Sequence, residues 1–597
     1  MQIAIPPQDT KQFIKPSSGE IFGNLWATKN IDLEANRGKI RLSERLYRVF
    51  DLADDSDFEI PVKFIRSNAD QTERWWALTQ KDKSSVSDGL LFKATATDPL
   101  TGWAQDAIAD SPTDCVDDME IFGQANSYDR LVVARDTDLA MLNNGAWTAS
   151  WWDTTLVQDA LTATNPHPLE QFMNLLLVVD GNLVHTIDDS LVVVASRIVL
   201  PKEYQIIWTA NDGLRVYFGT RHLRGGEALV FPWNGTSKTY DPPIPVDSFI
   251  SLAGVVPKNG VLHIINGKGQ LMKYNGQAFD VIASLPVAEK KLQWSNGTKR
   301  KEMVHPNGLA VIGNEICVLL EASTDEESPS AYYFEEFRAG IWAFNEDIGF
   351  YNKYSIGQYD GTTNNDWGSS QMRYAGALIE TDLKYGRFLA GCPIYLTPGS
   401  SYTAIVASQV DTTADNRGYF ITPQIQTSSV RAFWKRINLI FKKLENSTDR
   451  IIVKYRTSIY PARESDGRMK AYGITWTDTD TFTVSDADFA NFAAGDEVEI
   501  TVGKGAGALA HILSITGTSP NYTVNLDEEI PNVSGSSEVV VNRWTKLGTI
   551  SSQTITEKLY SIAKRNSWIQ FKIELRGTES SPELEQLNIF LIDAGLI

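Results

Sequence analysis

One hairpin signature recurs along this chain and constrains its fold more than any other feature: an apolar strand, an Asn-Gly-type turn, and an aromatic on the returning strand. It reads LMKYNGQAF at Leu271–Phe279, LAMLNNGAW at Leu139–Trp147 and LVFPWNGTSKTY at Leu229–Tyr240, with a degenerate copy, GIWAFNEDIGFY, at Gly340–Tyr351. Asn-Gly between apolar runs marks a tight hairpin, because both central residues of a type I′ turn need positive φ. Turn marks at Gly102, Gly145, Asp189, Gly235, Gly276, Asp347 and Gly399 are separated by 43, 44, 46, 41, 71 and 52 residues. Most of these steps match the roughly 40–50 residues of one four-stranded propeller blade. The two long steps require insertions, one of them in the polar run Ser323–Ser330. The expectation is an all-β chain in which residues 67–412 form a β-propeller of six or seven blades.

The flanks read differently. Residues 1–66 carry Pro6-Pro7 and Pro16–Gly19, which break any helix, and read as an extended strap. Closure of a propeller joins its ends, so Ile40–Leu42 or Ile60–Phe64 is expected to pair with the last blade near Arg387–Leu396. Within the repeats, Leu214, Val216 and Phe218 alternate with Arg215 and Tyr217, the period of a half-buried strand. Helical signals are few; Leu156–Asn174 has room for a turn or two between its prolines.

A new pattern begins near Arg417. Ile451, Val453 and Tyr455 alternate with Lys454 and Arg456; Ile569, Phe571, Ile573 and Leu575 alternate with Gln570, Lys572 and Glu574. Two sheets packed on a shared core suit such strands, so residues 413–469 and 546–597 read as a β-sandwich. Residues 470–545 have their own alternating strands and the glycine-rich run Gly503–Ala510, which can bend the chain sharply, and read as a small β-barrel inserted in a sandwich loop. Few core contacts are expected to cross that boundary, which would make the barrel excisable.

Candidate chemistry is sparse. Gly503–Gly507 (GKGAG) lacks the spacing of a phosphate loop, and the strand-like Leu513–Ile515 follows it instead of a helix. The acidic cluster Asp51, Asp54, Asp55 and Asp57 and the loop Asp360–Asp366 both lack a glutamate in calcium-loop register. The histidines His167, His185, His222, His263, His305 and His511 show no metal-ligand spacing, and Cys115, Cys317 and Cys392 read as buried thiols. No Gly-x-Ser-x-Gly elbow is present. No catalytic, cofactor-binding or metal-binding residue is therefore assigned, and no cofactor is expected. Paired carboxylates over a propeller channel, as in some glycosidases, are the enzymatic alternative. A net charge of −19 argues against general binding to nucleic-acid phosphates. Neither a secretory leader at Met1–Phe13 nor a membrane-spanning run is expected.

Three stretches carry a resemblance. Residues 27–42 (ATKNIDLEANRGKIRL) look like the opening strap of bacteriophage virion proteins that continue into a propeller. Residues 492–515 (FAAGDEVEITVGKGAGALAHILSI) resemble small barrels of phage tail proteins, and residues 544–590 resemble a tail sandwich. The resemblance is to tail nozzle or hub proteins and implies a structural protein without enzymatic activity. It would be a homo-oligomeric ring in the virion tail, assembled in the host cytoplasm. Its partners would be other tail, adaptor or portal proteins, with genomic DNA passing through without specific binding. A receptor- or glycan-binding tail component that meets a host surface receptor is the alternative, and a polysaccharide-degrading enzyme a third.

Overall fold

The computed structural model describes residues 2–5, 27–33, 39–53, 59–81, 90–100, 102–106, 116–257, 259–285, 304–320, 340–345, 349–356, 375–381, 388–397, 401–409, 416–426, 432–458, 470–502, 505, 508–530, 533–577 and 580–592. Among them the chain is almost entirely β-strand. Seven four-stranded antiparallel sheets follow one another, the first six each a meander of consecutive strands. The first comprises Glu59–Ser67, Arg74–Lys81, Leu91–Ala94 and Trp103–Asp106. The sixth ends with Gly349–Ser355. The seventh takes Leu378–Glu380, Phe388–Thr397 and Ser401–Gln409 from the end of the series and Arg45–Ala53 from before its start. The first strand of every sheet touches the first strand of the next, and Leu378–Glu380 of the seventh returns to Glu59–Ser67 of the first.

Several expectations shift here. The closing strand is Arg45–Ala53, paired with Ser401–Gln409, for example Leu46 with Ser408. Ile60–Phe64 instead lies in the first sheet, and Ile40 bridges to Leu584 near the C-terminus. The series of sheets thus begins inside the segment expected as a strap. Asn144-Gly145, Asn234-Gly235 and Asn275-Gly276 all link the third strand of a sheet to the fourth, as the repeat requires. Gly399 lies outside the described residues. Asp347, Ser323–Ser330, Asp54, Asp55, Asp57 and Asp360–Asp366 lie outside the described residues. The helical turn falls at Trp151–Thr155, ahead of the expected span, and Leu169–Phe172 is strand.

Beyond the seven sheets, Gln2–Ile5, Leu584–Ile592, Phe433–Phe441 and Glu557–Arg565 form one sheet. Ala27–Lys29, Asn416–Ile421, Trp568–Gly577, Arg450–Arg456 and Thr545–Ile550 form a second. Ile437, Leu439, Leu587 and Ile589 of the first share one apolar core with Ile451, Val453, Phe571 and Ile573 of the second. Between Arg450–Arg456 and its partner Thr545–Ile550 lies a closed six-stranded barrel, from Tyr472–Asp478 to Ser536–Asn542. Its interior is filled by Trp476, Phe482, Phe489, Val498, Val524 and Val541. Both N-terminal strands add to these two sheets, so the segments that flank the series of seven are folded together.

Residues 27–33 and 39–42 tie the parts together. Thr28 Oγ1 accepts from Asn352 N at 2.8 Å and Asn30 Oδ1 from Ser355 N at 2.6 Å, both in the sixth sheet. Lys29 reaches Glu499 of the barrel at 3.3 Å. Asp32 takes Arg41 at 2.9 Å and the buried Lys353 at 3.6 Å.

Candidate functional site

Polar side chains converge where the first strands of the first four sheets meet. Those strands are Glu59–Ser67, Val116–Ala125, Leu169–Phe172 and Tyr204–Asn211. Four charged side chains project from them close to one another. Lys63 Nζ lies 3.1 Å from Asp118 Oδ1 and 3.8 Å from Glu120 Oε2. Asp118 Oδ2 accepts from Leu169 N at 2.9 Å, and Glu120 Oε1 from Ile121 N at 3.0 Å. Glu170 is held from the fourth sheet: Thr209 Oγ1 donates to its Oε2 at 3.1 Å and Asn211 Nδ2 to its Oε1. Register shifts at Pro61/Lys63 and Val116/Met119 mark bulges in two of these strands, a device that re-aims side chains.

The electrostatics follow from three carboxylates facing one ammonium in a crevice where Lys63 is 19% and Glu120 20% exposed. Burial pushes the Glu120 carboxyl up to about 7; Lys63 opposes this, while Glu170 and Asp118 reinforce it. Burial likewise raises Glu170, against the pull of Lys63 and the bonds from Asn211 and Thr209. Burial works against the charge of Lys63, yet Asp118, Glu120 and Glu170 together hold its ammonium well above the ordinary range. Glu120, raised in this way, is suited to moving a proton near neutral pH. None of these residues was singled out from the sequence. They lie in strands rich in polar residues, such as VDDMEIFGQA at Val116–Ala125, where no short-range pattern sets them apart.

A second charge cluster joins the barrel to the C-terminal sheet. Lys454 bonds Glu497 of the barrel and Glu574 at 2.8 Å; Lys572 reaches Glu497 at 2.6 Å. Arg576 joins Glu574 at 2.5 Å and Glu528 of the barrel at 2.7 Å. Burial alone would raise Glu497 and Glu574. Lys454, Lys572 and His511 outweigh it at Glu497, and Arg576, Lys454 and Arg417 do so at Glu574, so both sit below the ordinary carboxylate range. Arg456 stacks on the Trp544 ring at 4.2 Å and Lys572 on Tyr419 at 3.9 Å. Tyr419, Ile421, Leu509 and Trp544 add an apolar patch. This junction overturns the expectation of a barrel with few contacts across its boundary. The polar face of Lys454, Arg456, Gln570, Lys572 and Glu574 is buried beneath the barrel.

The residues considered from sequence are dispersed. His167 is buried with its ring nitrogens 2.8 and 3.0 Å from the carbonyls of Val179 and Asp136. His185 stands edge-on to Trp152, and His511 pairs with Asp527 at 3.3 Å. Cys317 and Cys392 are buried thiols, the latter pushed up by burial; Cys115 lies outside the described residues. Among the described residues, no group of three or more His, Cys, Asp and Glu side chains is arranged to hold a metal ion, and no helix is long and apolar enough to cross a membrane.

No family model and no curated protein matches the chain. Among solved structures, YCF48 bound to D1 peptide aligns with 8% identity and a TM-score of 0.36, over 61% of this chain and 95% of that one. The extracellular domain of a putative hybrid two-component system from B. thetaiotaomicron aligns with 11% identity and a TM-score of 0.37, over 80% and 47%. A chain of the mitotic checkpoint complex aligns with 11% identity and a TM-score of 0.36, over 62% and 95%.

Proposed function

We propose that the seven sheets form a seven-bladed β-propeller and the two C-terminal sheets a β-sandwich carrying the barrel. We further propose that the chain is a structural, ring-forming component of a bacteriophage tail, a nozzle or hub of the DNA-ejection conduit. The closed cycle of first-strand contacts and the sealing strand Arg45–Ala53 support the propeller. One observation carries the mechanical reading. The N-terminal segment enters the seventh sheet and both C-terminal sheets, so propeller closure and sandwich folding depend on one another. A unit pinned at both ends suits a part that bears force during ejection. Rings close through head-to-tail contacts between copies. An acidic protein conducts DNA without holding it, because a lumen that gripped phosphates would release counterions and bind.

The test is assembly. Purified protein should form closed rings by electron microscopy and sedimentation, and antibodies against it should label phage tails. Duplex DNA should bind weakly or undetectably at ~0.15 M salt, where the Debye length is about 8 Å. A monomer at every concentration that binds host polysaccharide or an outer-membrane protein would replace this reading with the adhesin. Salt-sensitive micromolar DNA binding would contradict the conduit.

A second reading has its own observation. Glu120 and Glu170 stand on the first strands of neighbouring sheets, and acid–base work on a glycosidic bond would need one of the pair to keep its proton while the other is ionised. Release of reducing ends from host surface polysaccharide, abolished in Glu120→Gln or Glu170→Gln, would favour the enzyme.

A further inference from the structure

Charge is divided unevenly over this chain. The net charge is −19, yet two paired strands of one C-terminal sheet, Phe433–Phe441 and Glu557–Arg565, hold five basic residues and a single acidic one. Lys435, Arg436, Lys564 and Arg565 are exposed and gather at one corner, where Phe433 pairs with Arg565, Trp434 with Lys564 and Arg436 with Ser561. None of the four has an ion partner among the described residues, and cations on facing strands repel one another. Lysines on an edge strand commonly guard it against pairing, which accounts for Lys564. It does not account for Lys435 and Arg436, whose strand lies inside the sheet, between Glu557–Arg565 and Leu584–Ile592.

The opposite charge lies at one end of the second, third and fourth sheets. In a four-stranded meander the link from second to third strand and the link out to the next sheet emerge at the same end. In these sheets the links are residues 136–138, 149–168, 181–182, 200–203, 223–227 and 247–250, and they hold seven acidic and two basic residues. Lys268 engages Asp247 at 2.9 Å. Asp153, Asp159, Glu203 and Glu227 are exposed, without an ion partner among the described residues. The C-terminal sheets meet the series at the sixth sheet, where Ala27–Lys29 packs on Gly349–Ser355, two sheets past the fourth in the cycle. Basic corner and acidic end thus stand at different places on one chain, and both are satisfied together when the corner of one copy meets the end of the next.

We propose that the corner formed by Lys435, Arg436, Lys564 and Arg565 is a docking surface for a second copy of this chain and seats on the acidic end of that copy's second to fourth sheets. A nucleic-acid duplex fits the corner less well, because the acidic remainder of the chain repels phosphates. The inference rests on the head-to-tail assembly proposed above and names the surfaces that make it.

Sedimentation velocity of the full chain reads the contact. Wild-type association should weaken about tenfold or more between ~0.05 M and ~0.5 M salt, as exposed charges are screened. The double variant Lys564→Glu, Arg565→Glu should weaken it about tenfold or more at ~0.05 M salt, and so should Glu203→Lys, Glu227→Lys. An equimolar mixture of the two variants should associate as wild type does, because the reversed corner of one then meets the reversed end of the other. Lys564→Gln, Arg565→Gln neutralises the corner without reversing it and should fall between wild type and the reversal. Oligomers that withstand high salt, or that neither reversal weakens, would overturn this inference and leave head-to-tail assembly standing. A chain that is monomeric at every concentration and salt would overturn both. Duplex DNA held by wild type and lost from Lys564→Glu, Arg565→Glu would also overturn it, giving the corner to phosphates. The wild-type salt response decides the matter even if a variant fails to fold.

Discussion

Trp208 shows how narrow the choices are for single residues. Its indole lies against Gly219 on the neighbouring strand and Gly254 in the next sheet, and its Nε1 donates to Ser251 O at 2.9 Å. A Cβ on either glycine would overlap the ring. Gly219→Ala should therefore cost about 1–3 kcal/mol through overpacking, measured as a lowered urea midpoint at unchanged slope. The turn residues divide in an informative way. Asn144 and Gly145 both take positive φ, 52° and 77°, as a type I′ turn requires. Asn234 and Asn275 instead accept backbone N–H groups on their side-chain oxygens, from Ser237 at 2.9 Å and Ala278 at 2.9 Å, beside glycines with positive φ. The same dipeptide thus makes the same connection by two local mechanisms. At the barrel junction, Lys454→Met would leave Glu497 and Glu574 buried with fewer partners. It should cost about 3–5 kcal/mol by denaturant titration.

Strands here are decided by what covers them. Val216, Tyr217 and Phe218 are all buried, whereas Leu214, expected on the apolar face, precedes the strand and is 77% exposed. Period-two alternation implies one wet face, but each sheet of the series is covered on both sides by its neighbours. Val216 and Phe218 enter one core, and Tyr217 enters the next, with Val246 and Ile264. Arg45–Ala53 is the clearest case of an element defined by its partner, since it completes a sheet whose other strands come more than 300 residues later. Deleting residues 1–53 should expose the Ser401–Gln409 edge and drive self-association, visible by light scattering, because an unpaired edge is a template for another chain. A truncated protein that remains monomeric and keeps its wild-type melting temperature would contradict this.

On the scale of the whole molecule, the barrel and its neighbours depend on one another unequally. The barrel closes on its own core, so residues 470–545 alone should fold cooperatively, with a dispersed amide spectrum. The remainder, with a short Gly/Ser linker in its place, should fold but associate through the uncovered Tyr419 and Ile421. Its released Lys454 and Lys572 would be harmless in water. Sedimentation of the excised chain checks this, and Ile421→Ser in that background should restore the monomer.

The sequence by itself determined the all-β class, many of the hairpins and the closed barrel, because turn chemistry and apolar alternation act over a few residues. It also located the third-to-fourth-strand turns of successive sheets. Tertiary structure alone decided which strand seals the seventh sheet, since backbone pairing carries no information about sequence distance. It alone decided that the alternating face of Lys454, Lys572 and Glu574 is dry, because polar side chains read alike whether they meet water or barrel carboxylates. The Lys63–Asp118–Glu120–Glu170 cluster was hidden for the same reason. Its members are dispersed in the chain and unremarkable one by one, and their charges interact only after four sheets bring their first strands together.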